Sequence, residues 1–229
     1  MIITLKDLWK TYPMGKLEVH ALKGVNLGIT EGDFVSVAGP SGSGKTTMMN
    51  IIGLVDSPTR GQVFVQEREV GSLSRRELTR LRHEVIGFIF QSFNLLPVLT
   101  VFENVELPLV IGKKRQSKAE RREWVEHLLE QVGLSDRLKH KPTELSGGQQ
   151  QRVAIARALA GRPRIVIADE PTANLDSETG EKILDLMKKI NHDDKTTFLF
   201  STHDPKIWEM AGHVVFLHDG NIKSEQRRQ

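Results

Sequence analysis

The stretch GPSGSGKTT, residues 39–47, constrains the fold of this chain more than any other. It follows the apolar run DFVSVAG and leads into TTMMNIIGLV, whose pattern continues as a helix. A glycine-rich bend between a buried strand and a helix start has a specific physical use. Its glycines let backbone N–H groups turn inward on an anion, and the helix adds the positive end of its dipole. Gly39, Gly44, Lys45 and Thr46 fit G-x-x-x-x-G-K-[ST]. Gly39, Pro40, Ser41, Gly42, Ser43, Gly44, Lys45, Thr46 and Thr47 are therefore candidate contacts to nucleotide phosphates. In that pattern Lys45 bridges the β- and γ-phosphates, and the Thr46 hydroxyl takes Mg²⁺.

Around this loop, short apolar runs alternate with helical patterns, which predicts an α/β fold with a mostly parallel sheet. DFVSVAG, VIGFIFQ, RIVIADE and TTFLFSTHD each read as a buried strand with a polar end. Ligands of such folds gather at the carboxyl ends of the strands. The first 30 residues differ: ITLKDLWKTY and HALKGVNLGIT alternate as antiparallel edge strands do. After Gln91 the strand signal fades. SKAERREWVEHLLEQVGL predicts an amphipathic helix with Trp124, Val125, Leu128, Leu129 and Val132 as its apolar stripe and Gly133 as its stop. The expected organisation is one domain, 1–229. Residues 1–91 and 159–229 form the α/β core with its antiparallel edge, and 92–158 form an inserted helical subdomain.

RIVIADE delivers Asp169 and Glu170 at a strand end. Neighbours on a strand point to opposite faces, so the two carboxylates are expected to do different work. Asp169 would hold Mg²⁺ through its water shell, and Glu170 would polarise an attacking water as general base. His203, closing FLFSTHD, could contact the γ-phosphate. Gln91 could offer its carbonyl to Mg²⁺ and its amide to water. Tyr12, the only tyrosine, could stack its ring on a base. Each of these three also has an ordinary structural reading.

A second glycine-led helix start lies in PTELSGGQQQRVAIARALA, residues 142–160. Ser146, Gly147 and Gly148, followed by Gln149, present a hydroxyl and N–H groups at a helix start. One nucleotide needs one cradle. A second is explained most simply if each copy lends this site to the nucleotide of another copy, in a two-fold dimer.

Taken together, Tyr12, GPSGSGKT, Gln91, LSGGQ, IVIADE, the ANLD turn ending in Asp176, and His203 occur in an order that strongly resembles the ATP-binding subunit of ABC transporters. The resemblance spans essentially the whole chain. It implies a P-loop NTPase core of RecA-like type, with ATP and Mg²⁺ as ligands and ATP hydrolysis catalysed by Glu170, His203 and Lys45. It further implies that Ser146 and Gly148 approach a γ-phosphate across a homodimer and that Asp176 links the two sites. Gln91 would begin the loop that communicates with a separate integral membrane permease. The long matches YPMGKLEVHALKGVNL, LRHEVIGFIFQSFNLLPVLTVFENVELPL and ELSGGQQQRVAIARALAGRPRIVIADEPTANLDSETG resemble the lipoprotein-releasing and macrolide-efflux group (LolD-like and MacB-like), with FtsE-like cell-division proteins as neighbours. Thr46 stands where serine is commoner, with the hydroxyl kept, and Ala173 stands where the group often has glycine.

The composition narrows the remaining classes. Cysteine is absent, which removes disulfide frameworks and thiol metal sites. The opening MIITLKDLWK lacks a signal-peptide apolar region, and no apolar run approaches the roughly 18–20 residues of a membrane span. A membrane role would thus come through a partner, at the cytoplasmic face of the inner membrane. A net charge of +3 is too small to argue for nucleic acid. The basic stretches GKKRQSKAERR and SRRELTRLRHE are interleaved with acids, as solvated helix faces are. In FNLLPVLTVFENVELPL, Phe93, Leu95, Leu96, Leu99, Val101 and Phe102 have two readings: an exposed groove for a helix of the permease, or ordinary packing. Three other functions compete with transport: an ABC-type ATPase acting on DNA or ribosomes, a module that binds ATP without useful turnover, and an FtsE-like regulator of a cell-envelope complex.

Overall fold

A computed structural model describes residues 1–15, 17–112 and 116–228. Lys113, Lys114 and Arg115 of the basic stretch GKKRQSKAERR lie outside the described residues. The chain opens with β1 (Ile3–Met14), β2 (Leu17–Ile29) and β3 (Phe34–Ala38), then α1 (Lys45–Ile52), β4 (Arg60–Val65) and β5 (Arg68–Glu69). Next come α2 (Arg75–Val85), β6 (Ile86–Ile89) and three successive helices, α3 (Val101–Ile111), α4 (Lys118–Gln131) and α5 (Gly147–Ala160). The last third holds β7 (Ile165–Ala168), α6 (Ser177–Asp194), β8 (Thr197–Thr202), the single turn α7 (Pro205–Trp208), β9 (His213–His218) and β10 (Asn221–Arg227).

Two sheets result. The first is antiparallel, in the order β2-β1-β4-β5. The second runs β10-β9-β3-β8-β7-β6 and is parallel except for the β9–β10 hairpin. Side-chain alternation along the parallel strands divides the core in two. Val35, Val37, Ile165, Ile167, Leu199, Val215 and Leu217 face α1 and the antiparallel sheet. Phe34, Ala38, Val166, Ala168, Phe198, Phe200 and Val214 face the helices α3 to α6. Strands buried on both faces read as continuous apolar runs, which is why these segments are legible in sequence. The second cluster continues without a break into Val125, Leu128 and Leu129 of α4, so the helical segment shares its core with the sheet.

Local signals set the helix ends. Ser74 and Glu77, Thr100 and Glu103, and Ser117 and Glu120 each form a reciprocal capping box. Gly133, at φ 68°, ends α4 in the left-handed conformation that glycine adopts freely. Buried Asn104 pins the loop before α3: its Oδ1 accepts from the N–H of Leu96, and its amide donates to the carbonyls of Leu96, Leu99 and Thr100.

Three departures from the sequence reading matter for the site. The VIGFIFQ strand is short, β6, because Val85 closes α2 and Phe90 and Gln91 lie beyond the ladder. RIVIADE leaves the ladder at Ala168, so Asp169 and Glu170 sit past the strand. What separates the two carboxylates is therefore not strand alternation but a backbone turn, with Glu170 at φ 45°. Finally, the hairpin β9–β10 joins the parallel sheet next to β3, the strand that feeds the glycine loop. Among the described residues no helix is long and apolar enough to cross a membrane.

Candidate functional site

The glycine loop sits between β3 and α1. Gly39, Gly42 and Gly44 have φ of 154°, 76° and 104°. At Gly44 the left-handed backbone and the close approach of Ala21 require glycine, since an added Cβ would lie 2.5 Å from the Ala21 carbonyl oxygen. Gly44 caps α1 with no side-chain hydrogen bond, so no side chain occupies the first N–H groups of that helix. The Lys45 ammonium is buried and donates to the carbonyls of Gly39 and Pro40, each at 2.9 Å, which holds it over the loop. Ser43 is buried too, and its hydroxyl has no hydrogen-bond partner. Ser41, Gly42, Lys45, Thr46 and Thr47 line a cleft of about 400 Å³ together with Glu170.

Glu170 stands at a junction. It also lines a recess of about 780 Å³ whose walls include Asp176, His203, Ile207 and Met210. Its carboxylate lies 3.2 Å from the His203 Nδ1, with the histidine the more exposed partner. Beside it, Asp169 accepts a 2.5 Å hydrogen bond at Oδ1 from the buried Ser201 hydroxyl. That same hydroxyl accepts the Glu170 N–H at 2.9 Å.

The other predicted residues are distributed around these two openings. Tyr12, Gln91, Asp169 and Ser146 to Gln149 line neither of them. The Tyr12 hydroxyl donates to Asp56 Oδ2 at 2.7 Å, and the Lys10 ammonium sits 4.7 Å from the ring centroid while pairing with Asp56 Oδ1 at 2.6 Å. Partial burial, and then the Asp56 carboxylate, raise the Tyr12 pKa above its ordinary value. Burial alone would raise Asp56 as well, but hydrogen bonds from Lys10 and Tyr12 hold it below the usual carboxylate range. The Gln91 backbone carbonyl, distinct from its side-chain oxygen, accepts from the Asn174 side-chain amide at 2.7 Å. Phe93 and Asn94 follow at φ 57° and 48°, and the Arg157 guanidinium donates to both of their carbonyls, at 2.7 and 2.6 Å. Desolvation lowers the Arg157 pKa. The apolar segment after Gln91 is mixed: Val101 is buried, Leu95 and Phe102 pack on the core, and Leu96 and Val98 are exposed.

At the second glycine site, Ser146 caps α5. Its hydroxyl accepts the Gln149 N–H at 3.3 Å, and Gln149 Oε1 accepts the Ser146 N–H at 2.9 Å. Gly147 and Gly148 also pack within the chain: an added Cβ would lie 3.4 Å from Leu175 and 2.6 Å from Thr179, respectively. Asp176 caps α6 by accepting the Thr179 N–H at 3.0 Å, and that bond holds its pKa below the usual range.

Three supporting residues carry no motif, Ser201, Arg157 and Gln151, and a fourth, Asn174, belongs to the ANLD turn without having been singled out. The Gln151 side chain is wholly buried and donates to the Pro171 carbonyl at 2.5 Å. Ser201 stands out in the sequence as a polar residue directly after the apolar run FLF, whereas Gln151, the third of three successive glutamines, has no such signal.

No cluster of three or more His, Cys, Asp or Glu side chains suited to a metal occurs among the described residues. Thr46, Asp169 and Gln91 instead offer a hydroxyl, a carboxylate and a carbonyl. This oxygen donor set suits Mg²⁺, which keeps waters and takes further ligands from substrate phosphates.

Comparison with known proteins gives a consistent picture. A model described as ABC transporter matches residues 22–173. The uncharacterized ABC transporter ATP-binding protein MJ0796 of Methanocaldococcus jannaschii is 50% identical over 228 residues, covering 99% of this chain and 97% of that protein. The macrolide export ATP-binding/permease protein MacB of Bdellovibrio bacteriovorus is 47% identical across 100% of this chain, which spans 34% of that longer protein. Among solved structures, a dimeric post-hydrolysis state of the MJ0796 cassette bound to ADP and Pi superposes with a TM-score of 0.91 at 49% identity, covering 99% of each chain. The cbiO1 protein of Clostridium perfringens, part of the cbiONQ transporter complex, reaches 0.89 at 28% identity over 99% of this chain and 88% of that one.

Proposed function

This chain belongs to the ABC transporter family of ATP-binding proteins and is an ATPase; from that premise we propose that two copies close around two Mg–ATP and drive a separate membrane permease of the export, lipoprotein-release or mechanotransmission type. One observation carries the dimer. The cleft beneath the glycine loop is lined by its own chain's Lys45, Thr46 and Glu170 and by nothing from residues 142–160. Ser146 is exposed, which supports a contact to a nucleotide held by a second copy.

In this reading Lys45 and the loop N–H groups hold the β- and γ-phosphates, and the Ser146 hydroxyl and Gly148 N–H of the second copy complete the γ-phosphate shell. Thr46, Gln91 and (through water) Asp169 would hold Mg²⁺, which would supply positive charge against the phosphates. Glu170 takes the proton of the attacking water, and His203 steadies Glu170 and faces the γ-phosphate. ATP favours the closed dimer by binding it better than the open one, and loss of the γ-phosphate removes the anion that joins the halves. Asp176 lines the same larger recess as Glu170, which supports a role for it in linking the two sites.

The permease would engage near Gln91. Arg157 and Asn174 tie that loop to α5 and to the ANLD turn, so a shift of α5 on nucleotide closure would be carried into the loop. The helices of 92–158 act as the moving arm, with exposed Leu96 and Val98 as part of the contact. The export or lipoprotein-release assignment is supported by the MacB relatives, and the inner-membrane location follows from the permease. The test is co-purification with a candidate permease and ATP turnover in its presence: Leu96→Asp combined with Val98→Asp should abolish the complex but leave the isolated ATPase active.

A further inference from the structure

We propose that Ser201 is a positioning residue for the hydrolytic step: one hydroxyl fixes both the Asp169 carboxylate and the peptide that carries Glu170. The proposal rests on the roles given above to those two carboxylates.

Ser201 is wholly buried in β8, directly after Phe198, Leu199 and Phe200. A hydroxyl in such a place is costly to bury unless it is bonded. Here both of its capacities are used. It donates to Asp169 Oδ1 at 2.5 Å and accepts the Glu170 N–H at 2.9 Å. Since the single hydroxyl hydrogen goes to Asp169 and the amide hydrogen comes from Glu170, the direction of both bonds is fixed. Buried Ser36 and Ser43 by contrast have unpartnered hydroxyls, so burial of a serine in this molecule does not by itself bring bonds.

The register explains the arrangement. Ala168 of β7 pairs with Phe200 of β8, so Ser201 lies one step beyond the last pair, where the chain leaves the ladder as Asp169 and Glu170. Glu170 turns there into the left-handed region, at φ 45°. A non-glycine residue in that conformation carries strain and persists when its surroundings hold it. Ser201 supplies the bond on the amide side of that turn, while Gln151 holds the next carbonyl, that of Pro171. On the other side, the bond to Oδ1 leaves Asp169 Oδ2 without a protein donor among the described residues. Without the hydroxyl, the Asp169 carboxylate is free to rotate and the Glu170 peptide loses its anchor.

The test compares Ser201→Ala, Ser201→Thr, Asp169→Asn and Glu170→Gln in the full chain. It measures ATP turnover, Mn²⁺ affinity in the presence of ADP by electron paramagnetic resonance, nucleotide affinity in EDTA, and the thermal midpoint. Ser201→Ala should lower kcat and weaken Mn²⁺ binding, each by about tenfold or more, the scale at which partners of metal ligands act. Nucleotide affinity in EDTA should stay within about twofold on the same argument, because the hydroxyl acts on the metal side. Ser201→Thr keeps the hydroxyl and should restore both quantities. Wild-type turnover and Mn²⁺ affinity in Ser201→Ala, next to an inactive Glu170→Gln and a Mn²⁺-deficient Asp169→Asn, would overturn this proposal alone. Failure of Ser201→Thr to rescue, with a lowered thermal midpoint, would also overturn it by reducing Ser201 to packing. Normal turnover in Glu170→Gln would remove the base assignment, and this proposal with it.

Discussion

The two glycine-led helix starts look alike in sequence and are built differently. At α1 the cap is a left-handed Gly44 with no side-chain bond, and Lys45 curls over the loop. The first N–H groups of that helix are left to a ligand. At α5 the Ser146–Gln149 capping box already satisfies two donors, so the helix start holds its shape in the absence of any anion while the Gly147 and Gly148 N–H groups stay outside the box. The first start is a binding site that needs its phosphate. The second is a stable surface, with an exposed hydroxyl to offer to a nucleotide held elsewhere.

That contrast can be broken most severely at the first start. Lys45→Ala should weaken ATP binding by about 30-fold or more, the penalty for removing one partner from a buried charged contact. Isothermal titration would check it, and unchanged affinity would end the cradle assignment. Gly44→Ala against Gly147→Ala sharpens the same comparison. The first forces a Cβ to 2.5 Å from the Ala21 carbonyl at φ 104° and should cost more than about 1 kcal/mol along with ATP binding. The second meets Leu175 at an ordinary 3.4 Å and should leave the thermal midpoint and ATP binding by the isolated chain nearly unchanged.

A smaller effect is expected from Ser146→Ala. Loss of the cap should lower stability by about 1 kcal/mol. Turnover should fall by tenfold or so, for want of a donor to the transferred phosphoryl group, while single-chain ATP affinity holds. Equal losses in affinity and turnover would place Ser146 on its own chain's nucleotide. The smallest effect concerns Asp176, whose folded pKa is depressed by the Thr179 N–H. A depressed carboxylate contributes stability that is present above its unfolded pKa and is lost as pH falls through the folded one. Thermal midpoints recorded from roughly pH 5 downward should therefore fall more steeply for the natural chain than for Asp176→Asn, and parallel curves would remove the cap from the account.

Much of this architecture could be read from the chain because its signals are local. Strands buried on both faces are apolar throughout, and Gly39 to Thr46 has a spacing that few other structures need. The hairpin β9–β10 was not anticipated, since HVVFLH is short and NIKSEQR is polar. Yet it borders the cradle, where a Cβ on Gly39 would lie 2.1 Å from the Leu217 carbonyl oxygen. Asp169 and Glu170 were visible as residues, but the turn that parts them was not, because φ 45° at a glutamate has no sequence signature. Arg157 and Ser201 act on backbone atoms more than 30 residues away, and such contacts exist only once the sheet and α5 are assembled.

The central claim is that two copies share their nucleotides, and small-angle scattering of Glu170→Gln tests it most directly. Saturated with Mg–ATP and unable to turn it over, that variant should scatter as a dimer of twice the 25.8 kDa chain, and should return to single chains when Lys45→Ala is added. Single chains at full ATP occupancy in Glu170→Gln would contradict the account.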